Sequence, residues 1–177
     1  FATYLGRYQT RLAMTATERC ACFRLNFPAE SARRILLEPL EDASWLHVDG
    51  QAVQGYTRGN SGGVPSGFAC YIYAEVDVPV SSSCLFVDGD IYQGDGEADR
   101  VGVALDLARG GEVNFRVATS FISVEQAKQN FDREVGGRSF EALTAANEAV
   151  WEERLGRIEI DGATDIQRQT FYSCLHR

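Results

Sequence analysis

The side chains that could do chemistry in this 177-residue chain are few and scattered. Only two histidines, His47 and His176, are available to activate a nucleophile, and neither stands at a spacing that pairs it with Cys or Ser. A small cysteine or serine hydrolase would require His47 to touch such a residue. The acidic run Asp88-Gly89-Asp90 to Asp95-Gly96-Glu97-Ala98-Asp99 offers oxygen ligands at short spacing, as a calcium ion needs. Yet Ile91, Tyr92 and Gln93 fall where an EF-hand places Asp or Asn, so a solvated hairpin tip is the expectation. The segment Gly59–Gly67 lacks the Gly-Lys-Ser/Thr ending of a phosphate loop and reads as a connection between strands. Glycoside hydrolysis needs two carboxyl groups flanking one bond, and the sequence brings no particular pair together. Trp45, Tyr71 and Tyr73 are of the type that stacks on sugars, although core or sheet-surface aromatics are commoner. Cys20 and Cys22, two apart in a strand-like run, point the same way; either could bridge to Cys70 or Cys84, leaving Cys174 over. Without zinc spacing, buried free thiols are expected. Read this way the residues assign no catalytic and no metal-binding position.

The elements that must carry these groups are clearer. Arg19–Phe27, Phe68–Val78, Val101–Leu107 and Val113–Phe121 alternate apolar and polar residues with the two-residue period of half-buried antiparallel strands. Tyr4–Leu12, Arg34–Glu38, Ala52–Arg58 and Ser83–Val87 are weaker strand candidates. Asp49-Gly50, Asp88-Gly89 and Gly110-Gly111 are turn signals, the last predicting a hairpin. Many strands without intervening helices predict a mainly β protein, an antiparallel β-sandwich. From Ser123 the period becomes helical. Ser123-Val124-Glu125-Gln126 has capping-box spacing with Ile122 as its staple, and Gly136-Gly137 ends that helix. Ser139 caps a second helix that runs to Gly156, Arg157–Ile160 reads as a short strand, and Thr164-Asp165-Ile166-Gln167 caps a third helix. The predicted organisation is a β-sandwich over 1–122, a helical linker over 123–160 and the first helix of a further domain over 161–177.

Composition narrows the partners. Seventeen basic against 25 acidic side chains give a net charge of −8, which argues against nucleic acid. Lys128 is the only lysine, and the arginines do not cluster beyond Arg33-Arg34. No apolar run approaches a membrane span, and an apolar content of 45% excludes disorder. The chain opens at Phe1 and closes at Arg177 inside helical sequence, so it is expected to be an internal piece of a longer protein.

Several motifs then point to one family. Val117-Ala118-Thr119-Ser120-Phe121-Ile122-Ser123-Val124-Glu125-Gln126-Ala127 resembles the G-x-S-F-I-S-x-E-Q-A signature of glycoside hydrolase family 92. Trp151 through Ile158 resembles that family's W-x-x-x-L-x-x-I pattern, and Gln169 through Arg177 its T-F-Y-T-A-L-Y-R segment. Thr15-Ala16-Thr17-Glu18-Arg19 with Phe27-Pro28, and Tyr73-Ala74-Glu75-Val76-Asp77-Val78-Pro79, are similar to its N-terminal sandwich motifs. The resemblance covers nearly the whole chain and is most specific after Arg116. It implies a galactose mutarotase-like supersandwich joined by linker helices to an (α/α)6 barrel, in a secreted or periplasmic, calcium-dependent exo-α-mannosidase acting with inversion on mannose-containing, α-1,2-linked glycans. By the same resemblance the acid, the base and the calcium ligands lie outside these residues. The chain itself is then expected to be inactive, shaping one wall of the cleft and packing on the helical domain. The alternative is a non-catalytic carbohydrate-binding or adhesive sandwich.

Overall fold

The computed structural model describes residues 1–29, 32–40, 42–94, 96–108 and 111–176. Alternation in the strongest strands decides the architecture. In β3 (Cys20–Asn26) Phe23 and Leu25 face one way while Cys20 and Cys22 face the other, and both sides are covered. The same holds for β7 (Cys70–Val76), where Ala74 and Val76 enter one cluster and Tyr73 the other. A strand apolar on both faces must lie between two layers. Here the layers are a second sheet on one side and helices on the other.

The remaining strands are β1 (Ala2–Leu5), β2 (Thr10–Ala16), β4 (Arg34–Leu37), β5 (Ala43–Asp49), β6 (Ala52–Thr57), β8 (Val80–Val87), β9 (Asp90–Ile91), β10 (Ala98–Asp99), β11 (Gly102–Leu107) and β12 (Glu112–Ser120). They form an eight-stranded sheet in the order β1-β2-β3-β12-β7-β6-β5-β10 and a four-stranded sheet in the order β4-β11-β8-β9, every pairing being antiparallel. Leu46, Val53, Val113 and Phe115 of the large sheet meet Ile35, Val103, Leu105 and Leu107 of the small one to form the sandwich core. Helices α1 (Val124–Glu134), α2 (Phe140–Leu155) and α3 (Asp165–Leu175) follow. The antiparallel sandwich followed by helices is thus the observed fold.

Local chemistry behaves as its residues dictate at several ends. Asp88 (φ 51°) and Gly89 (φ 89°) make a two-residue hairpin turn between β8 and β9. Ser139 caps α2 through the Ala142 amide, and Thr164 with Gln167 forms the full reciprocal box on α3.

Other expectations are corrected. Tyr4–Leu12 is broken at Gly6–Tyr8 by a 3₁₀ turn, closed by Gln9 in the left-handed region, and the two halves pair as a hairpin. Ala43–Asp49, which is not among the strand candidates of the sequence, is a full strand that carries His47. Gly110 lies outside the described residues, but no β11–β12 hairpin forms: β11 pairs with β4 and β8, and β12 with β3 and β7 in the other sheet. Ser123 caps α1 by accepting from the Gln126 amide, yet Gln126 turns its own amide group to Asn130, so the box is only half made. Ile122 is 74% exposed and staples nothing, and Phe121, 71% exposed, leaves the β12 face and packs at a tilt against Phe68. Arg157–Ile160 is a turn and extended link, not a strand; Tyr172 instead donates its hydroxyl to the Ile158 carbonyl at 2.9 Å.

Gly55 in β6 has φ +156°, and a Cβ there would lie 2.0 Å from the Trp45 carbonyl oxygen on β5. Gly55→Ala is expected to destabilise the chain by about 2–4 kcal/mol, read as a shift of the urea midpoint at constant slope. Gly6→Ala, where a Cβ meets nothing within 4 Å, is the control and should shift it by less than about 0.5 kcal/mol.

Candidate functional surface

The helices are fastened to the outer face of the large sheet by small side chains. Cys20 and Cys22 on β3, Ala118 on β12 and Ala127 on α1 are buried, which lets α1 lie close to the strands. Phe131 of α1 packs edge-on against Tyr73 with ring centroids 5.1 Å apart, and Val135 and Leu143 close the cluster. The buried Asn130 donates to the Thr119 carbonyl at 2.9 Å.

Glu134, at the end of α1, is the polar clamp of this interface. It accepts from the Thr17 hydroxyl at 2.6 Å and the Arg19 amide at 3.0 Å, both in the β2–β3 turn, and pairs with Arg133 and Arg19. Burial works against its charge, yet these donors hold the carboxyl below the usual glutamate range. Arg24 forms a second clamp: it pairs with Glu141 of α2 and, at 3.2 Å, with Glu112, while its guanidinium sits 4.4 Å from the Phe140 ring centre. Hydrogen bonding to Arg24 is the main reason the Glu141 carboxyl falls to about 2.

The residues singled out from the sequence do not converge. His47 stacks on Trp45 (6.1 Å, planes 6° apart) and faces Gln54 across the strand pair; His176 lies on Trp151 at 4.3 Å. Both rings therefore rest on tryptophans, not on a cysteine or serine. All five cysteines are free thiols. Burial, reinforced by Glu134, pushes the Cys20 thiol up to about 12. The Gly59–Gly67 segment is a surface loop, with Gly62 donating to the Asn60 side chain at 2.8 Å.

Acidic residues of the 88–99 loop also part company. Asp90 pairs in β9, Asp99 accepts from the Asp42 amide at 3.0 Å, and Glu97 accepts from the Tyr56 hydroxyl at 2.8 Å and Arg58 at 3.0 Å. Asp95 lies outside the described residues. Among the described residues no three His, Cys, Asp or Glu side chains come together as a metal site, so they do not fit a calcium ion.

One outward constellation does form, and only the strand register reveals it. Trp45 on β5, Tyr56 on β6 and Tyr71 on β7 are direct cross-strand partners in neighbouring strands. Their ring centroids are 6.2 and 6.0 Å apart, making a row across the outer face beside the helices. Arg58 lies over Tyr56 at 5.2 Å, and Glu97 ties both together. The Tyr56 and Arg58 donors hold the Glu97 carboxyl below its ordinary range, while the hydrogen bond to Glu97, with burial, raises the Tyr56 phenol. Tyr73, grouped with Trp45 and Tyr71 in the sequence, is instead buried beneath Phe131, its hydroxyl on Glu75. Glu134 carried no signal in the sequence and Glu97 stood out only within an acidic run, since each owes its role to partners far along the chain.

The described residues thus form a sandwich whose large sheet carries helices clamped to its outer face. Residues 1–120 match the glycosyl hydrolase family 92 N-terminal domain and residues 126–177 the family 92 catalytic domain. The fold matches a family GH92 inverting mannosidase of Bacteroides thetaiotaomicron with a TM-score of 0.89 and 35% identity, over 96% of this chain and 24% of that one. A second family GH92 α-mannosidase of that organism shares the fold (TM-score 0.78, 20% identity, 97% of this chain and 25% of that one). A protein of Arthroderma benhamiae described as an uncharacterized secreted glycosidase is 38% identical over 69 residues, 37% of this chain and 9% of that protein. The chain belongs to glycosyl hydrolase family 92. It spans about a quarter of the length of the solved relatives.

Two outcomes follow from the helix interface. A thiol reagent should label the exposed Cys84 and Cys174 in the native chain and reach Cys20 and Cys22 only after unfolding, as peptide mapping would show. Glu134, its carboxyl lowered by folding, contributes stability that is present above the unfolded carboxyl value near about 4.3 and is lost as pH falls through the lower folded value. Glu134→Gln should therefore cost about 1–2 kcal/mol at pH 7 in urea unfolding, the gap to wild type closing below about pH 4.

Proposed function

We propose that the chain is the sandwich, linker and opening helix of an exo-acting α-mannosidase that cleaves α-1,2-linked mannosides with inversion. The observation that carries this reading is the match to both family 92 domains, over 1–120 and 126–177, on either side of the clamped junction between β12 and α1. The solved relatives are described as mannosidases, one of them inverting, which supports the substrate and stereochemistry. Inversion requires a carboxylic acid that protonates the leaving oxygen and a carboxylate that activates water, the two about 6.5–9.5 Å apart. In this proposal both belong to polypeptide other than these residues, and so do the ligands of the calcium ion that the family resemblance implies. The part played here is to form one wall of the cleft and to brace the helical domain. The exposed Val150, Ile158 and Ile166 of the α2–α3 region offer that domain an aliphatic contact. Secretion or passage to the periplasm is part of the same reading, supported by the description of the fungal relative. No helix among the described residues is long and apolar enough to cross a membrane.

The 177-residue chain alone, with calcium, is expected to release no detectable product from 4-nitrophenyl α-mannopyranoside. The full-length protein should release β-mannose first from α-1,2-mannobiose, as followed by proton NMR. Turnover by the short chain, or α-mannose as first product, would overturn the assignment of catalytic groups or of inversion respectively.

A further inference from the structure

From the free edge of β4 we infer that an extended segment of the same protein, outside these 177 residues, docks there as a further strand of the small sheet and covers the inner face of β2 and β3. The added strand presupposes only that the chain is part of a longer family 92 protein, as the reading above has it; neither the reaction nor the sugar bears on it.

The two sheets are unequal, eight strands over four. On the inner face of the large sheet Val113 and Phe115 of β12 are buried beneath the small sheet. Cover then thins strand by strand. Phe23 and Leu25 of β3 are only partly buried, as are their partners Met14 and Leu12 on β2, and Phe1, bonded to Met14, is 79% exposed. Two adjoining hollows open on this side, both bordered by Leu25 of β3 and by Ile35 and Leu36 of β4.

The backbone of β4 specifies what fits them. The Leu107 amide donates to the Arg33 carbonyl at 2.9 Å, and Ile35 and Leu37 stand opposite Leu105 and Val103. In an antiparallel ladder alternate residues bond to a given neighbour, so Ile35 and Leu37 bond to β11 while the N–H and C=O groups of Arg34 and Leu36 point away from it. Among the described residues these outward groups have no backbone partner. Outward amides and carbonyls beside an apolar hollow accept a strand, whose alternate side chains then fill the hollow.

The opposite margin of the small sheet shows an edge suited to water. β9 covers β8 only at Phe86 and Val87, and the uncovered part of β8 presents exposed Ser81, Ser82, Ser83 and Cys84. β4 instead reads Arg-Ile-Leu-Leu, with Leu36 59% exposed, and carries neither a lysine nor a proline to deter pairing. The charge of Arg34 is met by Asp106 at 2.7 Å. So apolar a margin, continuous with the sandwich core, suits a permanent cover from the same molecule rather than an exchangeable partner. The chain spans about a quarter of the length of the solved relatives, which leaves ample polypeptide to supply the strand.

Residue-resolved hydrogen exchange of the 177-residue chain and of the full-length protein tests the pairing. The Ile35 and Leu37 amides, bonded to β11, are the internal reference and should exchange slowly in both. The Arg34 and Leu36 amides should exchange fast in the short chain and about tenfold or more slower in the full-length protein. A photoreactive benzophenone side chain in place of the exposed Leu36 should cross-link, within the full-length monomer, to a peptide outside residues 1–177. Fast exchange of Arg34 and Leu36 in a full-length protein that cleaves mannosides would overturn the added strand and leave the mannosidase reading standing. Protection that appears in the short chain and grows with its concentration, with cross-links between two copies, would overturn it in favour of a second copy of the chain. Protection and the internal cross-link in a full-length protein without mannosidase activity would uphold the strand and sink the substrate reading.

Discussion

The central strands β3, β12 and β7 must be buried on both faces, and the rest of the structure answers that demand. On the inner side Phe23, Phe115 and Val76 need a second sheet; on the outer side Cys22, Ala118 and Tyr73 need a helix. Neither cover is optional, since stripping one exposes a continuous apolar strip across three strands. The small residues Cys20, Cys22, Ala118 and Ala127 also determine how near the helix sits. A larger side chain at any of them would lift α1 and misalign Asn130 and Glu134 with the backbone groups they bind.

Polar groups at the rim of this interface provide direction where apolar contact alone cannot. Leu143 and Phe131 would tolerate a helix sliding by a turn, but Glu134 accepts from a side chain and an amide of one particular turn, and Asn130 donates to one carbonyl. Arg24 repeats the device for α2, adding a flat contact with Phe140 to its ion pairs. Together they fix the start of the helical region relative to the sandwich.

The amino-acid sequence announces this architecture unevenly. β3, β7, β11 and β12 show in their alternation because both of their faces are constrained, and the caps at Ser139 and Thr164 are local chemistry that tertiary packing need not override. β5 is missed because its outward face mixes Trp45 and His47 with an inward Ser44, which blurs the two-residue period. Gly110-Gly111 is a sound turn signal that carries no information about which sheet the next strand joins. The family motifs after Arg116 identify the lineage, yet the aromatic row becomes visible only when the β5–β6–β7 register aligns residues that are 11 and 15 positions apart in sequence.

The placement of β12 between β3 and β7 has a kinetic side. Until residues 112–120 leave the ribosome, the Cys20–Asn26 and Cys70–Val76 strands have no neighbour on the edges that β12 will occupy, and two separate sub-sheets wait with open backbone donors and acceptors. One late-arriving ribbon joins them, and the first helix, separated from it by only three residues, caps the seam almost at once. The nascent protein thus passes through its most association-prone form just before completion of the sandwich, which makes that closing segment the step a chaperone would have most reason to guard.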